Sequence, residues 1–285
     1  MKLFDPHVHM TSRTTDDYRA MATAGVAAVL EPAFWLGQPR THVATFEDYF
    51  ASLVGWERFR AAQFGVQHFC ALGLNPKEAN DPNVADAVMQ VLPRWLSKEG
   101  VVAVGEIGFD DQTRAEERYI QQQLTLALDH GLPVLVHTPH RDKRRGTERM
   151  LALLREARYP AARVLIDHNT EETLSMVLES GCWAGHSIYP DTKMDEARMT
   201  ALVRRHGPTR ILVNSAADWG VSDPLKVPRT VEVMRSAGVA ERDLLTIFWE
   251  NPVAFFGQSG RLHLAAAPFA TPADRHLGNS IARGT

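Results

Sequence analysis

Short apolar runs alternate with longer amphipathic stretches along almost the whole chain. The runs at 3–9, 26–32, 69–74, 101–107, 134–137, 164–168, 183–189 and 211–214 read as strands. Helical periodicity fills the intervals at 15–24, 46–64, 84–97, 116–130, 147–158, 171–179, 195–206 and 227–237. Gly25, Gly65, Gly131 and Gly181 stand where helices should stop. The strand runs are nearly continuous in apolar residues, with no polar alternation. That is the pattern of strands buried on both faces, and hence of a parallel sheet. Repeated strand–helix units predict an α/β fold, a single-domain TIM (β/α)8 barrel. An open doubly wound sheet would carry a glycine-rich phosphate loop after its first strand, and none is present. The barrel is expected over residues 1–259. A tail rich in Ala, Pro, Gly and Arg, residues 260–285, is expected to be loosely ordered. The connection at 33–45 is long for its place and is expected to form a lid or a substrate wall.

Composition narrows the picture. A length of 285 residues suits one barrel, and 45% hydrophobic content is enough to fill it. A formal net charge of −3 lacks the basic excess of a general nucleic-acid binder, so a small-molecule substrate is favoured over nucleic acid. Cys70 and Cys182 sit in apolar stretches and read as buried free thiols of a reducing compartment. No apolar run approaches the roughly 20 residues that span a bilayer. A soluble cytoplasmic protein, monomer or homodimer, is the expectation.

The polar residues that interrupt the strand ends are mostly imidazoles and carboxylates. The first strand ends Asp5-Pro6-His7-Val8-His9, which places two imidazoles on one side of the chain. The fourth ends Gly105-Glu106-Ile107-Gly108-Phe109-Asp110; a carboxylate inside an apolar strand needs a partner, and a metal supplies one. The fifth and sixth end at His137 and His168. Asp218 follows the eighth and is the choice for a last acid, with Asn214 the alternative position. All of these fall at the carboxyl ends of barrel strands, where active sites of this fold lie. Imidazole and carboxylate donors suit Zn first, and also Mn, Fe, Co, Ni or Mg. The set exceeds what one tetrahedral ion needs, so two divalent ions bridged by a carboxylate are expected.

The order HxH, GExGxD, a strand-five His, a strand-six His and a late Asp resembles the TatD-like branch of the amidohydrolase superfamily, over roughly residues 2–257. The resemblance implies that His7, His9 and Asp218 hold one metal, that His137 and His168 hold the other, and that Glu106 bridges them. It also implies hydrolysis, with Asp218 orienting or deprotonating the attacking water. Members of that family include 3′-to-5′ deoxyribonucleases.

Three departures from the nuclease pattern turn the reading away from DNA. The late acid sits in Asn-Ser-Ala-Ala-Asp, strand six runs into Asp-His-Asn-Thr, and the strand-two loop carries Trp35, Arg40 and His42. Substrate contacts are expected from His140, Arg141, Lys143 and Arg144 in a basic loop after strand five, and from Arg40 and Trp219. Asp110 is expected beside them, and His186 is expected to line the pocket. The favoured activity is metal-dependent hydrolysis of an ester or phosphoester. The alternatives are a TatD-type 3′-5′ deoxyribonuclease and a mononuclear metal-dependent decarboxylase.

Overall fold

The computed structural model describes residues 1–35, 37–189 and 191–264. Eight strands form one sheet in chain order, each parallel to the next. They are β1 (Leu3–Asp5), β2 (Val26–Pro32), β3 (Gln67–Leu72), β4 (Val101–Gly108), β5 (Val134–His137), β6 (Val164–Ile166), β7 (Trp183–Ser187) and β8 (Ile211–Asn214). Backbone bonds from Ala216 N–H to the His7 carbonyl and from His9 N–H to the Ala217 carbonyl, both 2.8 Å, stitch the chain beyond β8 to the chain beyond β1. The sheet is thus a nearly closed barrel, as expected.

The helices that return the chain are α1 (Thr15–Thr23), α2 (Val43–Ala51), α3 (Arg58–Ala62), α4 (Pro82–Leu96), α5 (Arg114–Asp129), α6 (Lys143–Glu156), α7 (Leu174–Glu179), α8 (Glu196–His206) and α9 (Lys226–Ser236). Two more, α10 (Glu241–Leu245) and α11 (Asn251–Gly257), follow the barrel. The helix expected at 46–64 is one rod whose middle, Ser52–Glu57, widens to a π-helical turn between α2 and α3. Capping fixes several starts. Thr113 and Glu116 form a reciprocal box at α5, and the Asp81 carboxylate accepts from Asn83 and Val84 N–H at α4.

Two apolar cores result. One lies between the sheet and the helices. The other fills the barrel itself with Phe4, Leu30, Phe69, Leu135, Leu165 and Leu212, and Phe255 and Phe256 of α11 pack against it. Residues 261–264 also lie on the body: Arg261 donates to the Leu96 carbonyl at 2.6 Å, and Leu262 and Leu264 pack on the inner core. The remainder of the expected tail, from 265, lies outside the described residues.

Three boundaries differ from expectation in ways that shape the site. β1 stops at Asp5 because Pro6 has no N–H to continue the ladder, and the Asp5 carboxylate takes the His7 N–H instead at 3.2 Å. β6 stops at Ile166, and His168 adopts a left-handed backbone with φ 57°. α6 begins at Lys143, four residues before the expected start, so Lys143, Arg144 and Arg145 form its first turn. Lys and Arg are good helix formers, and Gly146 after them is required because a Cβ there would meet the Pro139 ring.

Candidate metal centre

The inward side chains of the barrel change from apolar to polar within one step. Leu135 points into the inner core, and two residues on stands His137; Leu165 is followed likewise by Asp167, and Leu212 by Asn214. In β4 the polar residue is Glu106, and the glycines around it are steric necessities. A Cβ on Gly105 would meet the Leu135 carbonyl at 2.7 Å, and one on Gly108 would collide with the His137 carbonyl. The GExG pattern therefore lets β4 press against β5 and sets Glu106 beside His137.

Glu106 Oε1 lies 3.2 Å from His137 Nδ1, 3.2 Å from His168 Nε2 and 3.7 Å from His7 Nε2. His7 Nε2 and His9 Nε2 are 3.0 Å apart. Ligand atoms of His7, Glu106 and His168 all fall within 4.8 Å of one another, and all three residues are buried. Each is braced from behind. Asp167 Oδ2 lies 2.5 Å from His7 Nδ1, Ser187 Oγ lies 2.7 Å from His168 Nδ1, and Asn75 Nδ2 donates to Glu106 Oε2 at 3.1 Å. The Phe34 ring stacks on His9 at 3.8 Å between centroids. Asn214 Nδ2 in turn holds both oxygens of Asp167, at 3.0 and 3.1 Å.

Two of the imidazoles and the carboxylate are held in the unprotonated forms a metal ligand requires, and His7 is the exception. Burial, and next the positive charge of His7, lowers His9 well below the ordinary imidazole value. Burial and then the Lys193 ammonium do the same to His168. Burial works against Glu106, but the charges of His137 and His7 overcome it and hold the carboxyl well below its usual range. His7 is raised: burial lowers it, and Glu106 and the Asp167 hydrogen bond outweigh burial.

A hydrogen-bond network alone does not explain this arrangement. Three imidazoles surround one carboxylate oxygen, two Nε2 atoms face each other, and buried His137 Nε2 has no hydrogen-bond partner among the described residues. Divalent cations fit this donor set. Asp167 on His7 and Ser187 on His168 are partners of the kind that fix ring orientation in metal sites.

The other expected residues are dispersed. Asp218 lies outside this cluster. Its Oδ1 accepts from the Tyr189 hydroxyl at 2.8 Å and from Gly220 N–H at 2.9 Å. Asp167, not singled out as a ligand or brace from sequence, is the acid that sits among the histidines. Its signal was available in the pair Asp167-His168, with the carboxylate at the inward position after Leu165. Asn75 and Ser187 were missed as well; an amide and a hydroxyl give no distinctive pattern.

Arg40 corrects an expectation. Its guanidinium grips both Glu78 oxygens at 2.8 and 2.9 Å and the Phe34 carbonyl at 2.9 Å, between the Phe46 and Tyr49 rings. Both of its terminal nitrogens are used in tying down the 33–45 connection, which leaves Nε alone without an acceptor among the described residues. Arg144 is exposed and pairs with Glu148 at 2.9 Å along α6. Arg141 is exposed, and its carbonyl accepts from Gln112. Lys143 does turn inward, donating to Thr138 Oγ1 at 2.9 Å; burial, and then Lys193, lowers its ammonium to about 8. His140 stands 6.1 Å from His137 between ring centroids. Trp219 is 60% exposed. Asp110 pairs with Lys77 at 2.8 Å, and Lys77 lies over the Trp35 ring. His186 is fully buried, and burial lowers it to about 4.

The family model described as TatD related DNase matches residues 4–257. The chain belongs to this family. A relative from Methanocaldococcus jannaschii, named an uncharacterized metal-dependent hydrolase, is 26% identical over 89% of this chain and 99% of its own. A TatD-like protein of Archaeoglobus fulgidus, solved by crystallography, superposes with a TM-score of 0.74 at 29% identity, covering 89% of this chain and 99% of that one. The Escherichia coli phosphotriesterase homology protein shares the fold, with a TM-score of 0.64 at 15% identity over 90% and 98% of the two chains.

Proposed function

We propose that this TatD-family protein is a metal-dependent hydrolase whose binuclear centre activates water against an ester or phosphoester bond of a small substrate. The observation that carries the reading is the convergence of His7, His137 and His168 on one oxygen of Glu106. Glu106, His7, His9, His137 and His168 would hold the metal ions. A bound metal pair would lower the pKa of water to near neutrality and polarise the bond under attack.

The chain's own residues do the rest. Asp167 keeps His7 Nδ1 protonated so that Nε2 presents its lone pair to the site. Ser187 and Asn75 fix His168 and Glu106. Asp218, held by Tyr189 and Gly220, is assigned to the mouth, where its free oxygen can take a proton from water or from the leaving group. His140, Lys143 and Trp219 are assigned to substrate contact. The two thiols, buried and unpaired, agree with a reducing cytoplasmic setting.

The test is a panel of substrates on metal-loaded protein: phosphomonoester, phosphodiester and carboxylic ester chromogens, a lactone, and single-stranded DNA labelled at its 5′ end. Turnover of esters or phosphoesters well above DNA trimming is expected. Faster stepwise loss of nucleotides from the 3′ end would replace this reading with the deoxyribonuclease. Carbon dioxide release from a carboxylated substrate, with one metal per chain, would replace it with the decarboxylase.

A further inference from the structure

The connection after β2 reaches the histidine cluster through one apolar ring. His9 lies past the end of β1, so no strand ladder orients its side chain. Its backbone is held by the N–H bond to the Ala217 carbonyl. The Phe34 ring lies almost parallel to its imidazole, with centroids 3.8 Å and planes 21° apart. At the edge of that imidazole, His9 Nε2 faces His7 Nε2 at 3.0 Å, and the two imidazole planes stand at 88°. Phe34 thus covers a face of His9 and leaves the edge toward the cluster open. Both residues are buried.

The backbone under the Phe34 ring is fixed from several sides. Its N–H donates to the Tyr49 hydroxyl at 3.4 Å, and its carbonyl accepts from Arg40 Nη2 at 2.9 Å. Ala33, the residue before it, donates to the Ala71 carbonyl at 2.8 Å and accepts from Glu106 N–H at 3.3 Å. Arg40 is anchored in turn on Glu78, through its guanidinium and through its own backbone N–H at 2.9 Å. Moving Phe34 would break that buried pair and leave a carboxylate alone, which is strongly unfavourable. Glu78 ends the short helical turn Pro76–Glu78, which is capped by Asn75, and Asn75 Nδ2 donates to Glu106 Oε2. One turn therefore sets Glu106 directly and His9 through Arg40 and Phe34. A polar brace such as Asp167 on His7 fixes a tautomer, whereas a stacked ring fixes a plane.

We propose that Phe34 is a positioning residue of the metal centre: its stacked ring sets the plane of the His9 imidazole so that Nε2 points at the ions, and Arg40 with the Asn75–Glu78 turn holds that ring in place. This deepens the hydrolase reading and rests on it for the metal, not for the substrate. In this role Phe34 acts only through the geometry of a ligand, so its loss shows first in metal binding. Leucine at this position keeps an apolar side chain and removes the flat face.

The test is zinc affinity by chelator competition, together with the visible absorption of cobalt-loaded protein, for wild type, Phe34→Leu and Phe34→Tyr. Thermal unfolding of the metal-free proteins is followed in parallel. Zinc binding about tenfold weaker in Phe34→Leu, with an altered cobalt absorption band and near-wild-type behaviour in Phe34→Tyr, is expected. Equal zinc affinity in wild type and Phe34→Leu overturns the proposal, even if Phe34→Leu lowers the unfolding temperature, since that is the signature of packing alone. An equal loss of affinity in Phe34→Tyr, which keeps the ring, or no zinc binding by wild type, overturns it too. If zinc affinity depends on the Phe34 ring but wild type hydrolyses neither esters nor phosphoesters, the hydrolase reading fails and the positioning role stands.

Discussion

The barrel wall holds two buried carboxylate–imidazole clusters that differ in one respect. On the outer side of the sheet, Glu31 Oε2 pairs with His68 Nε2 at 2.8 Å, and Glu31 Oε1 accepts from the backbone N–H and hydroxyl of Thr11, both at 2.9 Å. Close by, Glu57 takes the Tyr18 hydroxyl and the Arg60 guanidinium, and Arg60 also holds the carbonyls of Met10 and Arg13. Both Glu31 oxygens have protein donors and one histidine serves one carboxylate. At the mouth, Glu106 Oε1 faces three imidazoles at once. Burial of Glu and His together is thus no sign of a metal. Convergence of more lone pairs than there are protons to share is the sign. The first cluster ties the chain after His9 to β2 and α3, and the second is the one we propose to hold metal.

That contrast can be broken by exchanging the fates of the two carboxylates. Glu106→Ala should lower hydrolysis by about a thousandfold or more, measured as kcat/KM, while leaving the thermal unfolding of chelator-treated protein near wild type. Glu31→Ala should do the reverse. It leaves the His68 imidazole and the Thr11 donors buried without their acceptor, at a cost of about 3–5 kcal/mol in denaturant unfolding. Metal content per folded molecule should stay at the wild-type level. If Glu31→Ala abolished metal binding in folded protein, or Glu106→Ala unfolded the chain, the distinction between the clusters would collapse.

Asp167→Asn sharpens the comparison. The amide keeps the shape but cannot stabilise the His7 tautomer, so metal affinity should fall by about 10–100-fold in a chelator competition. An unchanged affinity would reduce Asp167 to a packing role. Arg40→Ala should cost stability through the loss of the Glu78 ion pair and the Phe46–Tyr49 stacking, roughly 2–4 kcal/mol in chemical unfolding, because a buried carboxylate is left alone. If Arg40 contacted substrate instead, KM would rise in the folded variant with no loss of stability.

The smallest effect is a pH dependence. Lys143 has an ordinary value of 10.5 and is lowered to about 8 in the folded protein. Between those values the unfolded chain binds more protons than the folded one, so burial of this ammonium weighs fully below about pH 8 and is relieved as pH rises toward 10.5. Lys143→Met should therefore remove a modest rise in stability across that window, seen by comparing denaturant midpoints at its two ends.

Much of this was legible in the chain because the fold repeats one unit and each unit ends at the mouth. Continuous apolar runs gave the strands, and the residue ending each run gave His137, His168 and Glu106. The side chains whose surroundings were not legible share a cause. Where the chain leaves the sheet, two-residue periodicity no longer says where a side chain points. Asp218 lies beyond β8, after Ala216 in a left-handed backbone with φ 44°, and its side chain is directed to Tyr189 and Gly220. Arg40 looked free because Glu78, 38 residues away, is invisible to local pattern. Asp167 matters through neighbours that only closure of the barrel brings together.

The most direct test of the central claim is the metal content of purified wild type and Glu106→Ala, measured by mass spectrometry after both are loaded and dialysed identically. About two ions per wild-type chain, falling to one or fewer in the variant, is the result a carboxylate-bridged centre predicts. A variant that keeps the full wild-type complement, or a wild type that retains no metal, would contradict it.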